Sequence, residues 1–170
     1  MLNLSGLVSD SIVDGPGLRT TIFGQGCPHH CPGCHNPETW DFEGGTPMDE
    51  ERIVEIVLSN PLCRGVTFSG GEPFAQAEGF AHLALLLKEK GYEIACYTGY
   101  TFEQLLAGTS AQRSLLEKLD VLIDGPFILE ERTLEAAFRG SRNQRILNVP
   151  ASLDAGEAVW MPKGRWTGEY

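Results

Sequence analysis

A chain of 170 residues, 42% of them hydrophobic, has the length of one domain, here 1–170, and enough apolar material for a sizeable core. Its 23 acidic against 13 basic side chains give a net charge of −10, which argues against nucleic acid as a partner, because phosphate binding needs clustered Lys and Arg. No apolar run approaches the ~18 residues that span a bilayer, so no membrane partner is expected.

The N-terminal stretch Met1–Ser5 carries no positive flank and no long apolar run, and a cytoplasmic location is expected. Thiols stay reduced there, so the five cysteines read as metal-binding, catalytic or buried rather than as disulfides. The turn Val13–Arg19 leads into a strand at Leu18–Gly24, and a cysteine-rich loop follows. A helix is expected over Asp49–Leu58, a strand at Gly65–Phe68, and a longer helix over Phe74–Lys90 that Gly91 stops. Next come a strand at Glu93–Tyr97, two short helices within Phe102–Leu119 broken at Gly108, a strand at Val121–Ile123, a helix over Glu130–Phe138 and a strand at Ile146–Val149. Residues 154–170 are expected to form a closing strand and a mobile tail outside a core of about 14–150.

Strands that alternate with helices imply right-handed βαβ units, hence an α/β fold with a mainly parallel sheet. About five strands suit an open sheet or a partial barrel and are too few for a complete eight-stranded one. The polar, glycine-bearing segments each follow a strand: Cys27–Asn36, Ser69–Glu72, Thr98–Gly99 and Asp124–Pro126. In such sheets the site lies at the carboxyl ends of the strands, so these segments converge on one edge.

Cys27, Cys31 and Cys34 stand at spacings of four and three among Pro28, Pro32 and Gly33, which favour tight turns. Thiolates suit zinc or iron–sulfur clusters. A zinc site completed by His30 or His35 is one reading; a haem attachment at Cys31–His35, a redox pair at Cys31–Cys34 and buried free thiols are others. Three thiolates on a four-iron cluster would leave one iron open to a substrate. Gly70 and Gly71 let a ligand approach the backbone, and Glu72 adds a carboxylate beside them; an ordinary strand-to-helix turn is the plain alternative. Asp124 reads equally as a helix cap. The basic run Phe138–Arg145 is either a solvated face or a carboxylate or partner-docking patch. Cys63 and Cys96 read as small buried hydrophobes.

The three-cysteine spacing together with Ser69–Pro73 resembles the radical S-adenosylmethionine superfamily. Gly15–Arg19, Phe23 and Gly26 resemble its glycyl-radical activating enzymes. Gly33–Glu38, Tyr97–Thr101, Asp124–Phe127 and Phe138–Arg145 resemble, more narrowly, the activators of anaerobic ribonucleoside-triphosphate reductase. The resemblance implies a partial α/β barrel and an oxidoreductase. It implies a 4Fe–4S cluster on Cys27, Cys31 and Cys34, and S-adenosylmethionine bound at the open iron. Gly70, Gly71 and Glu72 would then receive the amino group, and Thr98, Asp124 and Asn143 would contact the cofactor. The reductase would be the protein substrate, and a flavodoxin-like protein the electron donor. Tyr97 departs from the pattern, since pyruvate formate-lyase activators carry an acidic residue there. Two other functions would produce parts of the pattern: a small-molecule radical enzyme such as 7-carboxy-7-deazaguanine synthase, and a zinc-stabilised interaction module.

Overall fold

A computed structural model of the chain describes residues 1–168. One seven-stranded sheet runs through it, built from β1 (Leu2–Ser11), β2 (Arg19–Gly24), β3 (Thr46–Met48), β4 (Gly65–Gly70), β5 (Glu93–Tyr97), β6 (Val121–Asp124) and β7 (Arg145–Asn148), in the order β3-β1-β2-β4-β5-β6-β7. The helices are α1 (Glu50–Leu58), α2 (Ala77–Glu89), α3 (Phe102–Leu106), α4 (Ser110–Lys118) and α5 (Val149–Ala155).

β2, β4, β5 and β6 are mutually parallel, as the alternation with helices requires. Their side chains alternate between two faces. Ile22, Val66, Phe68, Ile94, Cys96 and Leu122 pack outward into one apolar core with the helices. Ala95, Val121, Ile123 and Ile146 face the other way and form a smaller cluster with Trp166. Phe68 and Phe80 meet at 4.8 Å between ring centroids in the outer core, and removing each ring from water contributes roughly 1.5–3 kcal/mol. Helices cover the outer face while the inner face holds a cavity, so the architecture is the expected partial barrel. None of the described helices is long and apolar enough to cross a membrane.

Both ends of the sheet differ from expectation. β1 and β3 add an antiparallel margin, with β1 paired to β2 and β3 to β1. The buried alternation of Leu2 and Leu4 is the signal for β1. β7 pairs antiparallel to β6, because the chain returns from Gly125 without a crossover helix. The helix expected over Glu130–Phe138 is only a single 3-10 turn at Leu129–Glu131. Beyond it the chain forms a narrow hairpin, closed where Thr133 N donates to Gly140 O (3.1 Å) and Arg142 N to Glu131 O (2.9 Å). Val149 opens α5 rather than ending a strand: the Asn148 side chain caps it, Pro150 suits its first turn, and Gly156 ends it with φ +73°.

No closing strand forms among the described residues of the C-terminal segment. Trp160 makes one isolated bridge to Leu147, and Trp166 is buried beneath the sheet. The expected mobile tail is thus an anchored segment up to residue 168; Glu169 and Tyr170 lie outside the described residues.

Candidate active site

The cysteine loop is fixed at both ends by backbone bonds. Gly26 N donates to Thr39 O (2.6 Å) and Cys27 N to Trp40 O (3.2 Å). The Gln25 side chain donates to the carbonyls of Glu38 and Asp41. Within the loop, Cys34 N donates to Cys31 O (3.0 Å), and left-handed backbone at Gly33 (φ +75°) makes the turn. All five cysteines are free. Cys27, Cys31 and Cys34 line the wall of one cavity of about 610 Å³ at the carboxyl edge of the sheet. Cys27 is buried, and burial raises its thiol pKa against the lowering effect of backbone bonds from His29 and His30.

Gly70 and Gly71 line the same cavity. A Cβ on Gly70 would stand 2.6 Å from Gly24 N, and one on Gly71 would stand 2.3 Å from Gly26 O. Backbone bonds continue the β2–β4 pairing beyond the strands: Gly71 N donates to Gly24 O and Glu72 N to Gly26 O, both at 2.8 Å. The two loops are therefore stitched together at a distance that only glycine permits.

Glu72 is held from several sides by protein donors. The residue is 1% exposed and lies behind His29, Thr98 and Gly99, which line the cavity. Oε1 accepts from Gly99 N (2.8 Å) and Oε2 from Phe74 N (3.0 Å), Thr98 Oγ1 donates to the carboxylate at 2.9 Å, and His29 Nε2 lies 2.6 Å from Oε1. A buried carboxylate needs such donors. Glu72 ties the cysteine loop to the loop after β5. Thr98 reaches the cavity while its hydroxyl is held by Glu72.

Asp124 and Asn143 also stand behind the cavity wall. Asp124 is buried, accepts from Phe102 N (2.7 Å) at the start of α3, and is paired with Arg145. It is a helix and strand tie. Asn143 donates to Pro126 O (2.8 Å), and its buried Oδ1 has no partner among the described residues.

Several residues outside the expected site set matter here. His29 is the second-loop partner of Glu72, packed edge-on to Tyr100 at 4.6 Å. Tyr97, placed on the inner face by strand alternation, lines the cavity and donates its hydroxyl to Phe138 O (2.8 Å); burial raises its pKa, so it remains a neutral donor. Gln144 links Gly125 O to the amides of Gly140 and Ser141. Strand register signals Tyr97; His29 and Gln144 have no signal beyond lying within noted motifs.

Among the described residues, no three His, Cys, Asp or Glu side chains close around a point small enough for one ion. The three thiols are instead spread around a space. Trp40, also on the cavity wall, keeps a buried indole N–H without a protein acceptor among the described residues. Soft thiol donors around a cavity, with a spare buried N–H donor, fit a sulfide-rich cluster.

The chain matches the family model described as a 4Fe-4S single cluster domain over residues 13–147. It is 37% identical over 143 residues to the anaerobic ribonucleoside-triphosphate reductase-activating protein of Vibrio cholerae, covering 79% of this chain and 90% of the relative. The protein of the same name from Escherichia coli K12 is 35% identical over 141 residues, covering 78% and 90%. A pyruvate formate-lyase-activating enzyme from Clostridium pasteurianum is 38% identical over 118 residues, covering 64% of this chain and half of that enzyme. The crystal structure of QueE from Escherichia coli shares the fold at a TM-score of 0.50 and 18% identity, covering 72% of this chain and 69% of that one.

Proposed function

Since the chain belongs to the 4Fe-4S single cluster domain family and to the anaerobic ribonucleoside-triphosphate reductase-activating proteins, we propose that it generates the glycyl radical of such a reductase by cleaving S-adenosylmethionine. The observation that carries this reading is the meeting of three free thiols, Cys27, Cys31 and Cys34, with the bare backbone of Gly70 and Gly71 around one cavity.

In this reading Cys27, Cys31 and Cys34 would hold a 4Fe–4S cluster. Such a cluster would supply the electron for reductive cleavage of S-adenosylmethionine, the chemistry that leads to hydrogen removal from a glycine Cα of the reductase. The residues of the chain do the rest. Gly70 and Gly71 let the amino-acid end of S-adenosylmethionine lie against the backbone. Glu72, through His29 and Thr98, keeps the cysteine loop and the loop after β5 in register. Tyr97, Phe127 and Phe138 present ring surface to the cavity and displace water from it. A flavodoxin-like protein donates the electron, and the reaction takes place in the cytoplasm.

The test is anoxic reconstitution with iron and sulfide, reduction, and addition of S-adenosylmethionine with and without the reductase. 5′-Deoxyadenosine and a glycyl radical signal by electron paramagnetic resonance are expected, and both disappear in Cys34→Ser. A colourless, zinc-loaded protein that cleaves nothing overturns the reading and favours an interaction module. Cleavage that proceeds on a small molecule, without radical on the reductase, favours a small-molecule enzyme.

A further inference from the structure

We infer that Arg139 is the carboxylate-binding group of the cavity, and that Trp160 is the positioning residue that holds its guanidinium in place. The inference rests on the proposed cleavage of S-adenosylmethionine, whose methionine part carries the carboxylate.

Arg139 is the one Lys or Arg among the residues that line the cavity. Arg139 lies next to Gly140, where the hairpin after β6 closes, and its neighbour Trp160 is 47% exposed. The Arg139 guanidinium lies 5.5 Å from the centroid of the Trp160 ring, and Nη1 donates to Gln144 O at 3.0 Å and, more distantly, to Arg142 O at 3.4 Å. Trp160 is itself held by backbone bonds on either side: Asn148 N donates to Val159 O (2.9 Å) and Met161 N to Ile146 O (2.8 Å). A ring face and carbonyl oxygens fix the direction of the fork without neutralising it.

The telling point is an arginine without a counter-charge on the cavity wall. The chain carries ten more acidic than basic groups. Arg19, Arg52, Arg145 and Arg165 each face a carboxylate; Arg139, like Arg64, Arg113, Arg132 and Arg142, faces none among the described residues, and of these five it alone lines the cavity. The one carboxylate on the cavity wall, Asp14, accepts through Oδ2 from the hydroxyls of Ser11 (2.6 Å) and Thr21 (3.0 Å) and makes no ion pair with Arg139. Nε and Nη2 of Arg139 make no bond to protein among the described residues, so part of a planar donor fork remains for a planar acceptor. The ligand that matches a preset, uncompensated guanidinium on a cavity wall is a carboxylate.

The experiment measures the affinity of the reconstituted protein for S-adenosylmethionine and for its decarboxylated analogue, by equilibrium dialysis under anoxia. Arg139→Gln is expected to weaken S-adenosylmethionine about tenfold and leave the analogue unchanged, since a charge-assisted hydrogen-bonded pair is lost for one ligand only. Arg139→Lys recovers part of the loss. Trp160→Leu reproduces the selective loss at about threefold, and Trp160→Phe restores affinity because the ring face is kept. Equal losses for both ligands, or none for either, overturn the assignment of Arg139. An unchanged affinity with poorer radical formation on the reductase moves the carboxylate to the partner protein and also overturns it. Full selectivity in Trp160→Leu removes Trp160 from the assignment. A wild-type protein that binds neither ligand overturns the proposed function itself, an outcome distinct from the failures of Arg139.

Discussion

The hydroxyl of Thr98 donates to the carboxylate of Glu72 at 2.9 Å, so the loop after β5 is fastened to the loop after β4 inside the protein rather than through a ligand. The same carboxylate reaches His29 in the cysteine loop. One buried side chain thus sets the spacing of three loops. Replacing Glu72 by Gln keeps the shape and puts an amide N–H₂ against donors. The expected cost is about 1–3 kcal/mol for the unsatisfied groups, read by denaturant unfolding of the cluster-free protein, together with weaker binding of S-adenosylmethionine. A variant as stable as the wild type would show that the three loops are spaced by other contacts.

Gly71→Ala and Gly91→Ala separate crowding from conformational preference. A Cβ at Gly71 meets Gly26 O at 2.3 Å, and the backbones after β2 and β4 must part. Gly91 has φ +89° with no heavy atom within 4 Å of its would-be Cβ. Gly91→Ala is expected to cost about 1 kcal/mol, from backbone strain alone. Gly71→Ala should cost about 1–3 kcal/mol and also distort the cavity. Thermal unfolding of the two variants side by side measures the difference.

Trp166 is 1% exposed, packs edge-on to Phe138 at 5.5 Å and lies 5.1 Å from the Arg19 guanidinium. Trp166→Ala is expected to lose about 3–5 kcal/mol, by the transfer and cavity terms together. Trp166→Phe should lose less, because it also removes a buried indole N–H that has no acceptor among the described residues. Urea midpoints for the pair give the comparison.

Thiol labelling reads out the proposed cluster ligands. In the cluster-free protein Cys31 and Cys34, half-buried on the cavity wall, should alkylate first. Cys63 and Cys96 are buried, and burial raises the Cys96 thiol well above its usual range, so both should resist until unfolding. Loading with iron and sulfide should protect Cys27, Cys31 and Cys34 together. Mass spectrometry after a timed pulse shows the order, and continued labelling of any of the three in loaded protein would exclude that cysteine as a ligand.

Glu103 supplies a pH prediction. Hydrogen bonds from Arg145 hold its carboxyl below the usual range. A group whose pKa is depressed in the folded state adds stability above its unfolded pKa and loses it as pH falls through the folded value. The pair is largely exposed, with Glu103 57% accessible, so the effect is a few tenths of a kcal/mol. The difference in melting temperature between wild type and Glu103→Gln should be present at pH 7, shrink below about pH 4.3 and be screened by salt.

The central strands and the convergence of the loops were legible because period-two apolar runs followed by glycine leave few alternatives. Cys27, Cys31, Cys34, Gly70, Gly71 and Thr98 do share one cavity wall. Glu72, Asp124 and Asn143 stand behind it, since a sequence places a carboxylate near a site without saying which donors claim it. The direction of β7 was hidden because strand composition is the same for either pairing, and only the missing crossover helix decides. The helix expected from Glu130 to Phe138 had suitable composition, but the contacts of Phe138 with Tyr97 and Trp166 hold that residue at φ +58°. Trp160 and Trp166 gave no reading because their partners, Arg139 and Arg19, are distant along the chain.

Arg19 heads the second strand and Trp166 covers it from far downstream. During synthesis the ribosome delivers the whole parallel series before the residue that roofs this guanidinium. Until then Arg19 has Glu93 and Thr67 as partners and water on its open side. Dehydrating it is therefore a late event of maturation, and a stalled or proteolysed chain ending near residue 160 would carry a complete set of cysteines above a wet, unfinished floor.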